Sequence, residues 1–468
     1  MATFFIEQFG CRATQADAAA IERQLLKRGY AASEDANSAD VIVVNTCTVT
    51  AAADLQARQS IRAMHRENPS ARVIVTGCYA QRAPEELAAL EGVSWVVGNS
   101  HKPEIPRIIQ EMGQEIGPEI APVSSSAARH GFVPLSTIAS ETLSLDRSPA
   151  NILIGDILEQ RELLVAPVEG GEAGHTRPVL KIQDGCNKRC SYCVIPQVRG
   201  RSRSLAPRTV IEEIRKLCDG GAREVVLSGI DLGNYGRDLA PHATLGELLR
   251  RILDETTVER LRVSSVEPMD ITEDLIALFA ASERMARHIH MPLQSGSDRI
   301  LAAMHRWYRA EHYARRAELA REWLPDAAIG ADVIAGFPGE TEADHQATLS
   351  FIERLPLTYL HVFSFSSRPG TAAADLRNQV PEKTIASRAR ELRAFGEKKK
   401  SAFQTVQAGR TMRVLTLNRS GKDASEQRTR AISSNFLDVH VTSVWPANQF
   451  LDVRIAGVTD GHLTGSAV

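Results

Sequence analysis

Apolar runs recur along the first hundred positions, each followed by a stretch with helical spacing. ATFFIEQFG, ADVIVVN, ARVIVTG and WVVG read as strands. Residues 14–28, 51–67, the segment after Pro84 and the segment from Pro103 read as helices. Strands without polar alternation, separated by helices, predict a small parallel sheet covered by helices. Residues 117–176 break the pattern with APVSSSAARHGF and VEGGEAGH, and read as a long connection. A second series begins at 178. Its candidate strands are 179–183, 224–228, 261–265, 288–292, 330–336 and 359–365, with amphipathic stretches between them. Six β/α repeats suit a partial barrel with its chemistry at the C-terminal strand ends. Residues 382–404 read as a long helix ending in a basic run. In the tail, TMRVLTL, FLDVHVTSV and QFLDVRIAGV alternate as strands do, which predicts a small β-barrel.

The expectation is an α/β protein in four parts. An open parallel α/β domain spans 1–116 and a linker or insert spans 117–176. A partial (β/α)6 barrel spans 177–404 and a small β-barrel spans 405–468. The length of 468 residues agrees, because one core of ordinary size does not organise so long a chain.

Composition narrows the function classes. Apolar residues at 43% and charged residues at 24% suit a soluble globular protein. A net charge of -2 gives no global attraction to nucleic acid or acidic membrane, so any such surface is local. The N-terminus, MATFFIEQFGCRATQ, lacks the basic flank and apolar run of a secretion signal. No stretch approaches the roughly 18 apolar residues of a membrane helix. The chain reads as cytoplasmic, with no membrane partner. In a reducing cytosol its seven cysteines, an odd number, point to metal binding or catalysis rather than a disulfide framework.

CNKRCSYC carries Cys186, Cys190 and Cys193 on one short loop after the first barrel strand. Three thiolates can hold three irons of a cubane cluster and leave the fourth iron open. A zinc knuckle is the alternative, but it wants a fourth ligand, and no Cys or His follows at short spacing. Cys11, Cys47 and Cys78 each stand at the end of a predicted strand. C-terminal strand ends of an open parallel sheet share one edge. These three thiols are therefore expected to meet and to hold a second cluster in the same way. The alternative is three buried packing cysteines. Cys218 lies in a helical pattern and reads as packing.

GCNKRCSYCVIPQVRGRSRS resembles the cluster loop of radical S-adenosylmethionine (SAM) enzymes, and within them of the methylthiotransferases. NTCTVT and VTGCYAQ resemble that family's amino-terminal domain, and VQAGRTMRVL resembles the opening of the RNA-binding TRAM barrel. The resemblance implies two [4Fe-4S] clusters and SAM. The open iron of the radical cluster chelates the SAM amino and carboxylate groups, and reductive cleavage yields a 5′-deoxyadenosyl radical. The auxiliary cluster supplies or relays sulfur. Around the cofactor it implies Tyr192 beside the adenine, together with Gly229, Asp231, Ser264, Glu267 and Gln294. Ser295 is expected to face the site as well. In the tail, Arg410, Arg413, Arg419, Lys422, Arg428 and Arg430 are candidates for phosphate contacts.

The implied reaction replaces an aromatic C–H by C–S–CH3, which needs a cofactor radical. KIQDGC, VIPQVRGRSRS and SGIDLGNYG resemble the branch acting on N6-threonylcarbamoyladenosine at position 37, beside the tRNA anticodon. The branches acting on N6-isopentenyladenosine tRNA or on a ribosomal-protein aspartate are the alternatives. The implied partners are the tRNA anticodon stem-loop and an external electron donor such as flavodoxin or ferredoxin.

Overall fold

The computed structural model describes residues 2–114, 150–161, 163, 167–168, 176–418 and 428–468. They form two compact units, one from 1–8, 21–46 and 55–155 and the other from 9–20, 47–54 and 156–468.

The first unit is built on six parallel strands: β1 (Thr3–Gln8), β2 (Ala31–Ala32), β3 (Val41–Thr46), β4 (Arg72–Gly77), β5 (Val93–Gly98) and β6 (Asn151–Leu153). Their order in the sheet is β2-β1-β3-β4-β5-β6. Every residue of β3 is buried, as expected of a parallel strand covered on both faces. Phe4, Val43, Ile74 and Val97 of the sheet pack with Ile21, Ile105 and Ile108 of the flanking helices. The sixth strand comes from the segment read as a connection, so the sheet extends past residue 116. Most of the expected 117–176 linker lies outside the described residues. The neighbouring strands β1, β3 and β4 run directly into the segments that carry Cys11, Cys47 and Cys78.

The second unit holds the predicted barrel. β7 (Pro167–Val168) pairs antiparallel with β8 (Val179–Lys181). β9 (Gln183–Asp184) and β10 (Arg203–Ser204) then form a short antiparallel ribbon that brackets the cysteine loop. β11 (Glu224–Ser228) and β12 (Arg260–Val263) join β8 in parallel. β13 (His288–His290), β14 (Ala328–Ala335) and β15 (Tyr359–Ser364) form a second parallel sheet. A bridge between Leu261 and Met285 and a bond from Val266 N–H to His290 O (3.0 Å) link the two sheets. The six strands therefore follow one another around an incomplete barrel. Thr244 and Thr341 cap the helices Leu245–Glu255 and Glu342–Arg354 with reciprocal capping boxes. The helix read at 382–404 runs Glu382–Thr405.

The tail is a closed barrel of β16 (Thr411–Thr416), β17 (Thr429–Ser433), β18 (Asp438–Val441), β19 (Phe450–Thr459) and β20 (His462–Ala467). β17 and β20 are additional to the strands read from the sequence. β20 (HLTGSA) has one large apolar residue, Leu463, and therefore little alternation to detect. The barrel is fastened at the N-terminal ends of β11 and β12. Arg260 donates to Ile432 O and Arg413 O, and Arg262 to Ser433 O and Ser434 O. Both guanidinium groups also pair with the fully buried Glu224, at 3.0 and 2.8 Å. Burial pushes the Glu224 carboxyl up, but Arg262, Arg260 and Arg177 outweigh it and bring it down to about 2.

Removing one partner of a buried, hydrogen-bonded ion group costs about 3–5 kcal/mol. Glu224→Gln is therefore expected to lower the thermal unfolding midpoint by many degrees and to loosen the tail barrel. The sign in pH follows from the depressed carboxyl. The stabilisation is complete above the unfolded-state value near 4.5 and drains as pH falls towards about 2. Denaturant unfolding of wild type and Glu224→Gln at pH 7 and pH 3 measures this; the gap between them should narrow at pH 3.

Candidate active site

The cysteine loop is held at its base by two glycines in left-handed conformations. Gly185 has φ +73° and Gly200 has φ +73°. A Cβ on Gly185 would fall 2.0 Å from Arg201 O, and one on Gly200 would fall 2.2 Å from Ile157 O. Both clashes are with backbone, so no side-chain motion relieves them. Cys186 N–H donates to Gly200 O at 3.1 Å and closes the loop.

Beneath the loop lies a buried ion group. Lys181, the last residue of β8, pairs with Asp17 and lies 2.8 Å from Asp184. Arg199 lies 3.1 Å from Asp17 and 3.0 Å from Asp184, and Arg203 stands 4.0 Å from Asp184. Burial alone would push the Asp184 carboxyl up, yet Arg199 and Lys181 hold it well below the usual carboxylate range. Asp17 belongs to the segment that follows Cys11. That segment, 9–20, and the one after Cys47, 47–54, both belong to the second unit. The 47–54 segment is tied in by Arg368, which pairs with Asp54 at 2.9 Å and donates to Thr48 O at 3.3 Å. Gly10 lies so close to Cys47 that a Cβ there would stand 2.5 Å from the Cys47 Cβ. Cys78 begins the short helix Cys78–Arg82 of the first unit, where Asn99 Nδ2 donates to its sulfur at 3.6 Å.

Hydrogen-bond donors are aimed at the sulfurs of the loop. Lys188 N–H reaches Cys186 Sγ at 3.4 Å, and Arg306 Nη1 reaches Cys190 Sγ at 3.3 Å. The Ile195 N–H serves Cys193. Burial pushes the Cys186 thiol well above its ordinary range, with Asp231 at 3.5 Å adding to the shift. Burial likewise pushes the Cys193 thiol up to about 12. As uncoordinated groups these cysteines are poor nucleophiles; as metal-bound thiolates they have donors waiting.

A cleft of about 240 Å³ opens beside Cys193. Tyr192, Gln294, Asp332, Ile334, Phe363 and Phe365 are among its walls. Tyr192 meets Phe337 edge-on, with ring centroids 6.5 Å apart. Gln294 adopts φ +67°, a left-handed conformation that is costly for a side chain of its size and that gathers at ligand sites.

Of the other expected cofactor residues, Gly229 packs on Gln183, whose Oε1 accepts the N–H groups of Ile230 and Asp231 at 2.9 and 2.7 Å. Asp231 accepts from Lys188 Nζ at 2.8 Å, and Glu267 pairs with Arg306. Ser264 lies in a different small cavity, with His288 and His290. Ser295 is turned to Thr348 Oγ1 at 3.3 Å rather than into the cleft. Arg306, Lys188 and Gln183 are additional to the residues read from the sequence. Lys188 stands inside CNKRCSYC and Gln183 inside KIQDGC, but neither motif announces these contacts, and only the folded loop brings the Arg306 guanidinium to Cys190.

In the tail, Arg410 and Arg413 are engaged in ion pairs with Asp326 and Glu259 at 2.5 and 2.9 Å. Arg419 and Lys422 lie outside the described residues.

Two family patterns match the chain: uncharacterized protein family UPF0004 at residues 3–98 and the radical SAM superfamily at 180–352. Two relatives carry the name threonylcarbamoyladenosine tRNA methylthiotransferase MtaB. The one from Aquifex aeolicus is 35% identical across 92% of this chain and 95% of its own length. The one from Bacillus subtilis is 33% identical across 94% and 90%. The chain belongs to the radical SAM methylthiotransferase family. A further relative, tRNA-2-methylthio-N(6)-dimethylallyladenosine synthase of Syntrophobacter fumaroxidans, is 32% identical across 98% of this chain and 94% of its own length. Among solved structures, the radical SAM methyltransferase TsrM of Kitasatospora setae shares the fold. Its TM-score is 0.55 at 16% identity, over 80% of this chain and 77% of that one.

A methylthiotransferase of this family uses SAM and [4Fe-4S] clusters, and the loop fits one. Three thiols stand on one short loop, and the Lys188 and Ile195 N–H groups and the Arg306 guanidinium are aimed at their sulfurs, a donor set that suits a cluster held by thiolates.

Gly185→Ala is expected to strip this cluster although every cysteine remains. Iron in anaerobically purified protein should fall by about four atoms per chain. Gly221→Ala, at a left-handed glycine with nothing within 4 Å, serves as the strain-only control and should keep its iron.

Proposed function

We propose that this methylthiotransferase converts N6-threonylcarbamoyladenosine at position 37 of tRNA to its 2-methylthio derivative. The observation that carries the reading is near-full-length similarity, at 35% and 33% identity, to two relatives bearing that activity in their names.

Cys186, Cys190 and Cys193 hold the radical cluster, and Cys11, Cys47 and Cys78 hold the auxiliary one. Support for the second set is topological: the three cysteines follow the C-terminal ends of three adjacent parallel strands. When bound, the clusters and SAM supply a 5′-deoxyadenosyl radical, a sulfur and a methyl group. The protein's own side chains shape the reaction. Arg306 and the Lys188 and Ile195 N–H groups stabilise thiolate charge at the loop. Tyr192, Ile334 and Gln294 line the cleft beside Cys193 that would receive SAM. Asp231, held by Lys188 and Asn234, and Glu267, held by Arg306, are the carboxyl groups that would help hold SAM. Gly229, packed on Gln183, completes the set on this side, while Ser264 lines a separate cavity. The small tail barrel is the RNA-binding module that receives the anticodon stem-loop. Flavodoxin or ferredoxin supplies the electron, and the reaction takes place in the cytoplasm. No helix among the described residues is long and apolar enough to cross a membrane.

Nucleoside mass spectrometry of bulk tRNA from cells with and without the gene tests the reading. The 2-methylthio-N6-threonylcarbamoyl nucleoside should vanish with the gene and return with the wild-type copy. It should not return with Cys186→Ala. Loss of the methylthio-isopentenyl nucleoside in its place would transfer the enzyme to the other tRNA branch.

A further inference from the structure

The cleft beside Cys193 is apolar along most of its length, with Ile334, Phe363 and Phe365 among its walls, but Asp332 also opens onto it. Asp332 does not stand alone. Its Oδ1 lies 2.9 Å from His290 Nε2 and 3.3 Å from His361 Nδ1. His290 Nδ1 is in turn 2.9 Å from the Tyr359 hydroxyl, and that hydroxyl is 2.7 Å from His288 Nε2. The residues come from three neighbouring strands, β13, β14 and β15, and Asp332 and His361 are direct register partners.

This group could be read as a metal site. The geometry favours a hydrogen-bonded relay, because one carboxylate oxygen faces both imidazoles at hydrogen-bonding distance. Each ring therefore directs an N–H at Asp332 rather than a lone pair at a shared point. Burial would push the Asp332 carboxyl up, yet the two imidazoles hold it well below the usual carboxylate range, so it is an anion. With a proton on both nitrogens, His361 would donate to Asp332 and to a ligand at once. Its Nδ1 is committed to Asp332, and its Nε2 has no hydrogen-bond partner among the described residues. The His361 side chain is 53% exposed, which leaves room for a ligand. It lies two residues along β15 from the cleft wall at Phe363, about 7 Å by strand geometry.

A threonylcarbamoyl substituent ends in a carboxylate, whereas an isopentenyl substituent has no charge. A carboxylate entering a largely apolar cleft needs a cationic donor to replace its water. We propose that His361, oriented by Asp332 and His290, binds the threonyl carboxylate of the substrate and thereby selects the threonylcarbamoyl nucleoside. This rests on the substrate reading above and adds the residue that enforces it.

The test compares two anticodon stem-loop RNAs, one carrying N6-threonylcarbamoyladenosine and one carrying the methyl ester of its threonyl carboxyl. Wild type is expected to prefer the acid by roughly 10- to 100-fold in kcat/KM, the range of a hydrogen bond to a charged group. His361→Gln should erase that preference by raising KM for the acid while KM for the ester stays in place. Asp332→Asn should move the ratio in the same direction. Equilibrium dialysis with SAM runs alongside. If His361→Gln keeps the preference, or weakens acid and ester equally, the inference fails. It also fails if SAM affinity falls in step, because the group would then serve the cofactor. If wild type methylthiolates neither RNA, the substrate reading itself is overturned, and this inference with it.

Discussion

Two buried aspartates facing three buried cations are the constraint on which the active end depends. Asp17 and Asp184 balance Lys181 and Arg199, with Arg203 at the margin. Taking such charges out of water is expensive, and the cost is met only while every partner stays in place. The group is therefore all-or-none, and it spans distant parts of the chain. Asp17 comes from the segment after β1, Lys181 ends the first barrel strand, Asp184 starts the β9–β10 ribbon, and Arg199 and Arg203 lie on the far side of the cysteine loop. A hydrophobic core could hold these pieces together but would not set their register. A set of charges that must meet does so, which accounts for placing ions here.

The same ribbon explains why the loop needs its glycines. With β9 paired to β10, the chain between them must leave and return through one narrow gap. Gly185 and Gly200 stand at that gap, each against a backbone carbonyl. The cysteines are thereby projected from a rigid base into the mouth of the incomplete barrel. There Arg306 and two backbone N–H groups meet their sulfurs, and the cleft begins at Tyr192. At the opposite ends of β11 and β12, Glu224 gathers Arg260 and Arg262 and fastens the tail barrel. One ion group thus organises each end of the barrel sheet.

Much of this architecture was legible in the sequence, because it rests on local signals. VIVVN and VIVTG announce buried parallel strands, and CNKRCSYC places three cysteines on one short loop after the first barrel strand. The less legible features depend on tertiary proximity. β6 is three residues long and β20 has one large apolar residue, so neither carries a periodicity. Ser295 adjoins Gln294 of the cleft yet turns to Thr348, and Ser264, at the end of a barrel strand, lines another cavity. Arg306 and the His290–Asp332–His361 relay sit in ordinary-looking strings. Nothing in HRWYR or YLHVF indicates that these side chains reach a thiol or an aspartate until the strands are placed side by side. Arg410 and Arg413 carry the charge expected of RNA contacts, but acidic residues of the neighbouring barrel engage them.

The most direct test of the central constraint is the iron and acid-labile sulfide content of Asp17→Ala, purified anaerobically and checked for folded secondary structure by circular dichroism. Without Asp17, a single carboxylate faces three buried cations beneath the cysteine loop. The account predicts a folded protein that has lost iron and cleaves SAM to 5′-deoxyadenosine far more slowly, although no cysteine has changed. A folded Asp17→Ala protein with wild-type iron content and SAM cleavage would contradict it.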